Sequence, residues 1–273
     1  MKTPRGCTGF QVVLLIAMVD VFWGMAPARG AVVDQEGNTP RSTSGPAAPE
    51  TRRQVTLEER GDIFMARKDY DNAVDCYYRA LKQSSDHNVS LWNKMGIAFQ
   101  QENKFRDAHR AYTKATHVDA NFAEAWNNIG TVFALQKKYA RSIGYYVRAI
   151  KLRDDVAAFH INLGSSYYHL KKYPEAVEEY RTALRIDPKA INAQSSVGTV
   201  VHTGVPDVQF YYYMAKALAS VGNAEEAVRY LRRALEEGFA NQQRIDEDPD
   251  FKKISKYPAF VELMRNPPIA IKN

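Results

Sequence analysis

The sequence predicts an all-α solenoid, about five helical hairpins in a row with capping helices at the C-terminal end. Three observations predict it. One pattern occurs four times, as Leu57-x-x-Arg60-Gly61-x-x-Phe64, Trp92-x-x-Met95-Gly96-x-x-Phe99, Trp126-x-x-Ile129-Gly130-x-x-Phe133 and His160-x-x-Leu163-Gly164-x-x-Tyr167. Its glycines stand 35, 34 and 34 residues apart, a period that marks stacked helical hairpins. Each pattern is then followed by a small residue, an aromatic and a second small residue. These are Ala73, Tyr77 and Ala80, then Ala108, Tyr112 and Ala115, then Ser142, Tyr146 and Ala149, then Ala176, Tyr180 and Ala183. Steps of four and three keep such residues on one helical face.

Each unit therefore reads as two helices. The first carries the glycine, which costs about 1 kcal/mol of helix propensity relative to alanine. Four such costs at one period imply a close helix contact, so Gly130→Leu is expected to overpack its site. The small residues of the second helix let backbones approach, and the aromatic is expected to fill the space between hairpins. A fifth unit begins near Val208. There Ala215 stands for the glycine, Leu218 for the aromatic of the first helix, and Ala227, Leu231 and Ala234 complete the second helix. Gly222-Asn223 supplies its turn. Between the fourth and fifth units the register breaks. Residues 190–206 keep Gly198 but lack a second helix, and Val197, Val200 and Val201 suit either a strand or a short buried helix. After the fifth unit, Asp248-Pro249 is a helix start with Asp as the cap and Pro at the first position. Phe251 and Ile254, then Phe260, Leu263 and Met264 after Pro258, give short apolar faces that cover the last hairpin.

The length, order and residues of the unit resemble those of the tetratricopeptide repeat family over roughly Gln54 to Pro188. The resemblance implies a right-handed α-α superhelix whose first helices line a concave groove. It also implies a protein that presents a binding surface, with no catalytic activity and no cofactor.

The ends are of different material. Lys2 and Arg5 precede the apolar run Val12–Val19, and Ala26-Pro27-Ala28 follows it, the layout of a secretory signal peptide. Asp20 interrupts the apolar stretch. Cleavage is expected after Ala28 or Gly30. An uncleaved anchor is the alternative, although Phe10–Met25 falls short of the roughly 20 residues a spanning helix needs. The expected plan is a signal peptide at 1–30, a Pro/Ser/Thr/Gly-rich linker at 31–53 and four repeats at 54–188. An insertion or decayed half-repeat at 189–207, a fifth repeat at 208–241 and a cap at 242–273 complete it. The expected setting is a bacterial periplasm or cell surface.

Composition narrows the function. The net charge of +6 is interspersed with acids and forms no long basic run, which argues for solvated helix faces and against nucleic acid. With Cys7 in the leader, Cys76 is a lone thiol and reads as a small buried apolar residue. His87, His109, His117, His160, His169 and His202 include no pair four apart, and there is no Cys-x-x-Cys, no phosphate loop and no Gly-x-Ser-x-Gly elbow. No metal site and no enzyme chemistry is expected.

The informative polar residues lie on the first helices. Asn93 recurs as Asn127, and Asn128 as Asn162. An asparagine amide donates and accepts, so a ladder of them suits the backbone of an extended peptide. These four and Tyr168 are the candidate groove residues, with the asparagines expected to lie clear of packing positions. Glu58, Glu59 and Asp62 make one end of the groove acidic, while Tyr168 and His169 make the other aromatic. A carboxylate clamp of the kind some family members use is excluded, because Glu58, Asp62, Ala158 and Asn162 stand where basic and amide residues are needed. The expected partner is a protein or extended peptide and the expected role that of a scaffold or adaptor. The alternative is a docking accessory of a separate envelope enzyme.

Overall fold

The structure is a computed structural model and describes residues 54–190 and 207–270. The expected signal peptide, the linker and almost all of the insertion lie outside the described residues. Thirteen helices are present among those described. Five consecutive pairs form the hairpins: α1 (Leu57–Ala66) with α2 (Tyr70–Gln83), α3 (Val89–Gln101) with α4 (Phe105–Val118), α5 (Ala123–Leu135) with α6 (Tyr139–Leu152), α7 (Ala157–His169) with α8 (Tyr173–Ile186), and α9 (Val208–Ser220) with α10 (Ala224–Glu236). Three short helices follow, α11 (Gln242–Glu247), α12 (Pro249–Lys252) and α13 (Pro258–Arg265). The fold is thus an all-helical array of paired helices, as the glycine period predicts.

The hairpins start and turn by local chemistry. Thr56 and Glu59 form a reciprocal capping box on α1. Asp69, Asn88, Asp207, Asn223 and Asn241 cap later helices through their side chains. Every hairpin turn places one residue in the left-handed region. Only the fifth uses glycine there, Gly222; the others use Lys68, Asn103, Lys137 and Lys171.

Each repeat glycine has one physical cause. A Cβ built on Gly96, Gly130 or Gly164 would meet the ring of Tyr112, Tyr146 or Tyr180 at 2.5–2.8 Å, and Gly61 faces Tyr77 in the same way. All four rings are almost wholly buried. The aromatic therefore packs inside its own hairpin, second helix onto first, which corrects the expected place between hairpins. The reason is reach: with no side chain on the glycine, the ring crosses the helix and its hydroxyl emerges on the far face. Tyr77 donates to Asp62 (2.8 Å), Tyr112 to Gln100 (3.1 Å) and Tyr146 to Thr131 (3.3 Å). In the fifth hairpin both partners change together, with Ala215 against the smaller Leu231, and both are buried.

Contacts between hairpins use other positions of the repeat. Ser142 of α6 meets Ser166 of α7, hydroxyl to hydroxyl, at 2.8 Å. In the second, third and fourth units the residue that opens the pattern reaches back to the carbonyl six residues upstream. Trp92 Nε1 donates to Asp86 O and Trp126 Nε1 to Ala120 O, each at 2.9 Å, while His160 Nε2 lies 3.2 Å from Asp154 O. Each such bond fixes the entry of a hairpin to the exit of the one before. Cys76 is buried, as a small apolar residue would be.

Candidate functional site

First helices of successive hairpins touch, α3 with α5 and α5 with α7, so these helices share one continuous face. The candidate asparagines lie along it and are joined. Asn162 Nδ2 donates to Asn127 Oδ1 (2.9 Å), Asn127 Nδ2 to Asn128 Oδ1 (3.2 Å) and Asn128 Nδ2 to Asn93 Oδ1 (3.0 Å). One chain of amides thus crosses α7, α5 and α3 in a single direction of donation. Asn127, Asn128 and Asn162 are buried, and only Asn93 is partly exposed. The expectation of four asparagines clear of packing positions is corrected here. Residues repeated in register on touching helices face one another, so their amides satisfy each other before anything else reaches them. Asn93 Nδ2, at the end of the chain, has no acceptor among the described residues.

The acidic end of the face is also different from expectation. Lys94, beside Asn93, donates to Glu58 Oε1 (2.8 Å) and to both oxygens of Asp62 (2.9 and 2.8 Å). Burial pulls the Lys94 ammonium down, but the bonds to Asp62 and Glu58 outweigh it and push it up. Two of the carboxylates that make this end acidic in sequence are thus held by a lysine of the next hairpin. Lys94 is the residue that sequence reasoning missed. Its signal was available, a lone cation one repeat downstream of two acids at adjoining register positions.

Tyr168 is half-buried at the other end. Burial comes first and the hydrogen bond to Asp207 second in pushing its phenol well above the usual range. Its ring packs edge-on against His169 and Phe210 and tilts against Tyr173. His169 stacks on Tyr139 at 4.3 Å. The aromatic end exists, but its members are engaged with one another and with the start of α9.

In the fifth hairpin the equivalent positions are covered. Tyr212 and Lys216 occupy the registers of Asn127 and Thr131. Asp248, the cap of α12, accepts from Tyr212 Oη (3.2 Å) and Lys216 Nζ (2.7 Å). Phe239 stacks on Tyr212 at 4.3 Å and Phe251 lies against it. Arg181 of α8 adds an ion pair to Asp250 at 3.3 Å. Among the described residues no group of three His, Cys, Asp or Glu side chains is placed to hold a metal ion, and no helix is long and apolar enough to cross a membrane.

Comparison with known proteins adds the following. Tetratricopeptide repeat profiles match residues 56–87, 93–155, 138–191 and 208–237, together more than half of the chain. The peroxisomal targeting signal receptor of Eremothecium gossypii is 32% identical over 79 residues, 29% of this chain and 14% of the receptor. The peroxisomal targeting signal 1 receptor of Dictyostelium discoideum is 38% identical over 69 residues, 25% of this chain and 10% of the receptor. The matched region is thus a small part of those relatives. Among solved structures, that of MamA covers 72% of this chain and 97% of its own, with a TM-score of 0.47 and 24% identity.

Proposed function

We propose that this chain, which belongs to the tetratricopeptide repeat family, is an exported, non-enzymatic scaffold or adaptor. It holds an extended segment of a partner protein along its first-helix face. The observation that carries the reading is the amide chain from Asn162 to Asn93. A run of amides is rigid where its buried members bond to one another. It ends in an unclaimed donor at a partly exposed position, beside a lysine already neutralised by two acids. That is a fixed, nearly neutral donor, suited to a backbone carbonyl and indifferent to side chains. The curated relatives, named as receptors for a targeting signal, support a protein segment as the kind of ligand.

Export is supported by the basic start, the apolar run and the Ala26-Pro27-Ala28 site. The N-terminus of the protein isolated from its host tests it, and a product that begins at Met1 or Lys2 and stays in the cytoplasm refutes it. For the groove, crosslinking in the native envelope identifies the partner and calorimetry measures it. Asn93→Ala should weaken that binding by about 0.5–1.5 kcal/mol, the net value of one hydrogen bond; because it also takes the acceptor from the buried Asn128 Nδ2, it should lower the thermal midpoint, and affinity is therefore measured well below that midpoint. Unchanged affinity would remove the first-helix face from the proposal.

A further inference from the structure

Two arginines of α6 lie over aromatic rings of α5 and make no hydrogen bond or ion pair among the described residues. Arg148 sits 3.6 Å over the Trp126 ring and Arg141 4.6 Å over the Phe133 ring. Tyr145, between them on α6, stacks at 6.4 Å from Trp126 and 5.3 Å from Phe133. Steps of four and three put Arg141, Tyr145 and Arg148 in one row, so the row interleaves with the two rings. Cation–π attraction holds each guanidinium in place. A guanidinium that meets a ring keeps the N–H groups of its fork available for an oxyanion. On other second helices the fork is taken: Arg79 pairs with Asp75, Arg110 with Asp107 and Arg181 with Glu178.

The charge around the two arginines is one-sided. α6 carries Arg141, Arg148 and Lys151 and no acid. α4, which packs on the same α5, carries Arg106, Arg110 and Lys114 against Asp107 alone. The acid of α5, Glu124, is paired with Arg153 at 2.7 Å. By contrast, α2 has as many acids as bases, and acids outnumber bases on α8. His109 of α4 meets the Phe133 ring edge-on at 5.5 Å. Burial first and Arg141 second hold it below its ordinary value. No basic run marks this patch in the sequence, because the stacking of hairpins assembles it.

We infer that the α4–α6 face docks an acidic helix of a partner protein, with carboxylates seven residues apart each taken by the fork of Arg141 or Arg148. Spacing decides the form of the ligand. The two arginines are seven residues apart, about 10.5 Å along α6, and they are held on rings that are themselves seven apart on α5. A helix returns to the same face after seven residues with the same advance. An extended strand shows same-face residues at about 6.7 and 13.4 Å, and neither matches. Nucleic acid fits less well, since each ring already carries a guanidinium or another ring where a base would stack. The face belongs to second helices and stands or falls apart from the amide chain.

The test uses the full chain and fluorescein-labelled, alanine-based helical peptides at low salt, where exposed pairs are least screened. Each peptide carries two glutamates, either seven residues apart or five, the latter about 140° apart around the helix. Affinities are measured well below each variant's thermal midpoint. The seven-residue spacing should bind several-fold more tightly. Arg141→Gln/Arg148→Gln should weaken it roughly tenfold, the effect of two such pairs. Arg79→Gln/Lys82→Gln, the same loss of charge on α2, should leave it nearly unchanged. Arg141→Lys/Arg148→Lys keeps the charge but gives up the fork and its stacking, so peptide should still bind while the preference for spacing disappears. A carboxylate beside Arg141 should also raise the titration midpoint of His109, read by NMR. Equal affinity of the parent for the two peptides, equal losses in the α6 and α2 glutamine variants, or a spacing preference kept by the lysine variant overturns the inference. So does a His109 midpoint that does not move, or a short oligothymidylate that binds more tightly than the peptide.

Discussion

Two glycines of one hairpin should respond oppositely to the same added methyl group. A Cβ on Gly130 would lie 2.7, 2.8 and 3.1 Å from Cε1, Cδ1 and Cζ of Tyr146. That ring is fully buried and its hydroxyl is bonded to Thr131, so it cannot swing away. Overpacking of this kind costs about 1–3 kcal/mol. The better helix propensity of alanine returns about 1 kcal/mol, so Gly130→Ala should destabilise by up to about 2 kcal/mol. Gly144, on α6, has no atom within 4 Å of its hypothetical Cβ. Gly144→Ala should therefore keep the whole propensity gain of about 1 kcal/mol. For an array of this size each kcal/mol moves the thermal midpoint by roughly 2–4 °C, so the two variants should separate by several degrees about the parent. The fifth hairpin supplies the control, since it pairs Ala215 with Leu231. In a Tyr146→Leu background the overpacking cost of Gly130→Ala should vanish, giving a clear coupling energy in a double-mutant cycle. Equal shifts of the same sign for Gly130→Ala and Gly144→Ala would refute the argument that Tyr146 dictates the glycine.

Two further outcomes concern the first-helix face and its aromatic end. Asn127→Ala removes the middle of the amide chain, taking the donor from the buried Asn128 Oδ1 and one acceptor from Asn162, so it should cost about 1–3 kcal/mol in denaturant unfolding, the penalty of buried groups that lose hydrogen bonds; a neutral result would mean that the amides do not bond as described. Burial, with Lys137 adding to it and Asp207 opposing, holds His169 below its ordinary value near 6.5. The native state then disfavours the proton that the unfolded chain takes up, so its stabilisation is present above that value and is lost as pH falls through the lower native one. His169→Phe should flatten the fall in denaturation midpoint between pH 7.5 and 5.5, and an unchanged pH profile would contradict the assignment.

The parts legible in the sequence were those written at short range and repeated. Gly130 and Tyr146 are sixteen residues apart in every unit, so their pairing could be suspected from the period alone. Whether the ring filled the hairpin or the gap between hairpins could not, because that depends on which face of the second helix turns inward. The register of the asparagines is written in the sequence, but their burial is not. Equal register on neighbouring first helices means side by side, so each amide meets its copy before it meets solvent. Lys94 was overlooked for a similar reason. Its partners Glu58 and Asp62 are 36 and 32 residues away, a distance at which only the stacking of whole hairpins decides who meets.

The cover that Asp248 and Phe251 place over Tyr212 and Lys216 gives the molecule a ruler. The short C-terminal helices touch α9 and α10, so the first helices they leave uncovered are α1, α3, α5 and α7. Helices in contact lie about 8–10 Å apart, so three such intervals span about 24–30 Å. An extended strand advances about 3.3 Å per residue, so that span is crossed by roughly seven to nine residues. On the proposed reading of the first-helix face, the last hairpin would set how long a segment that face takes, with a piece of the same chain lying over Tyr212 and Lys216.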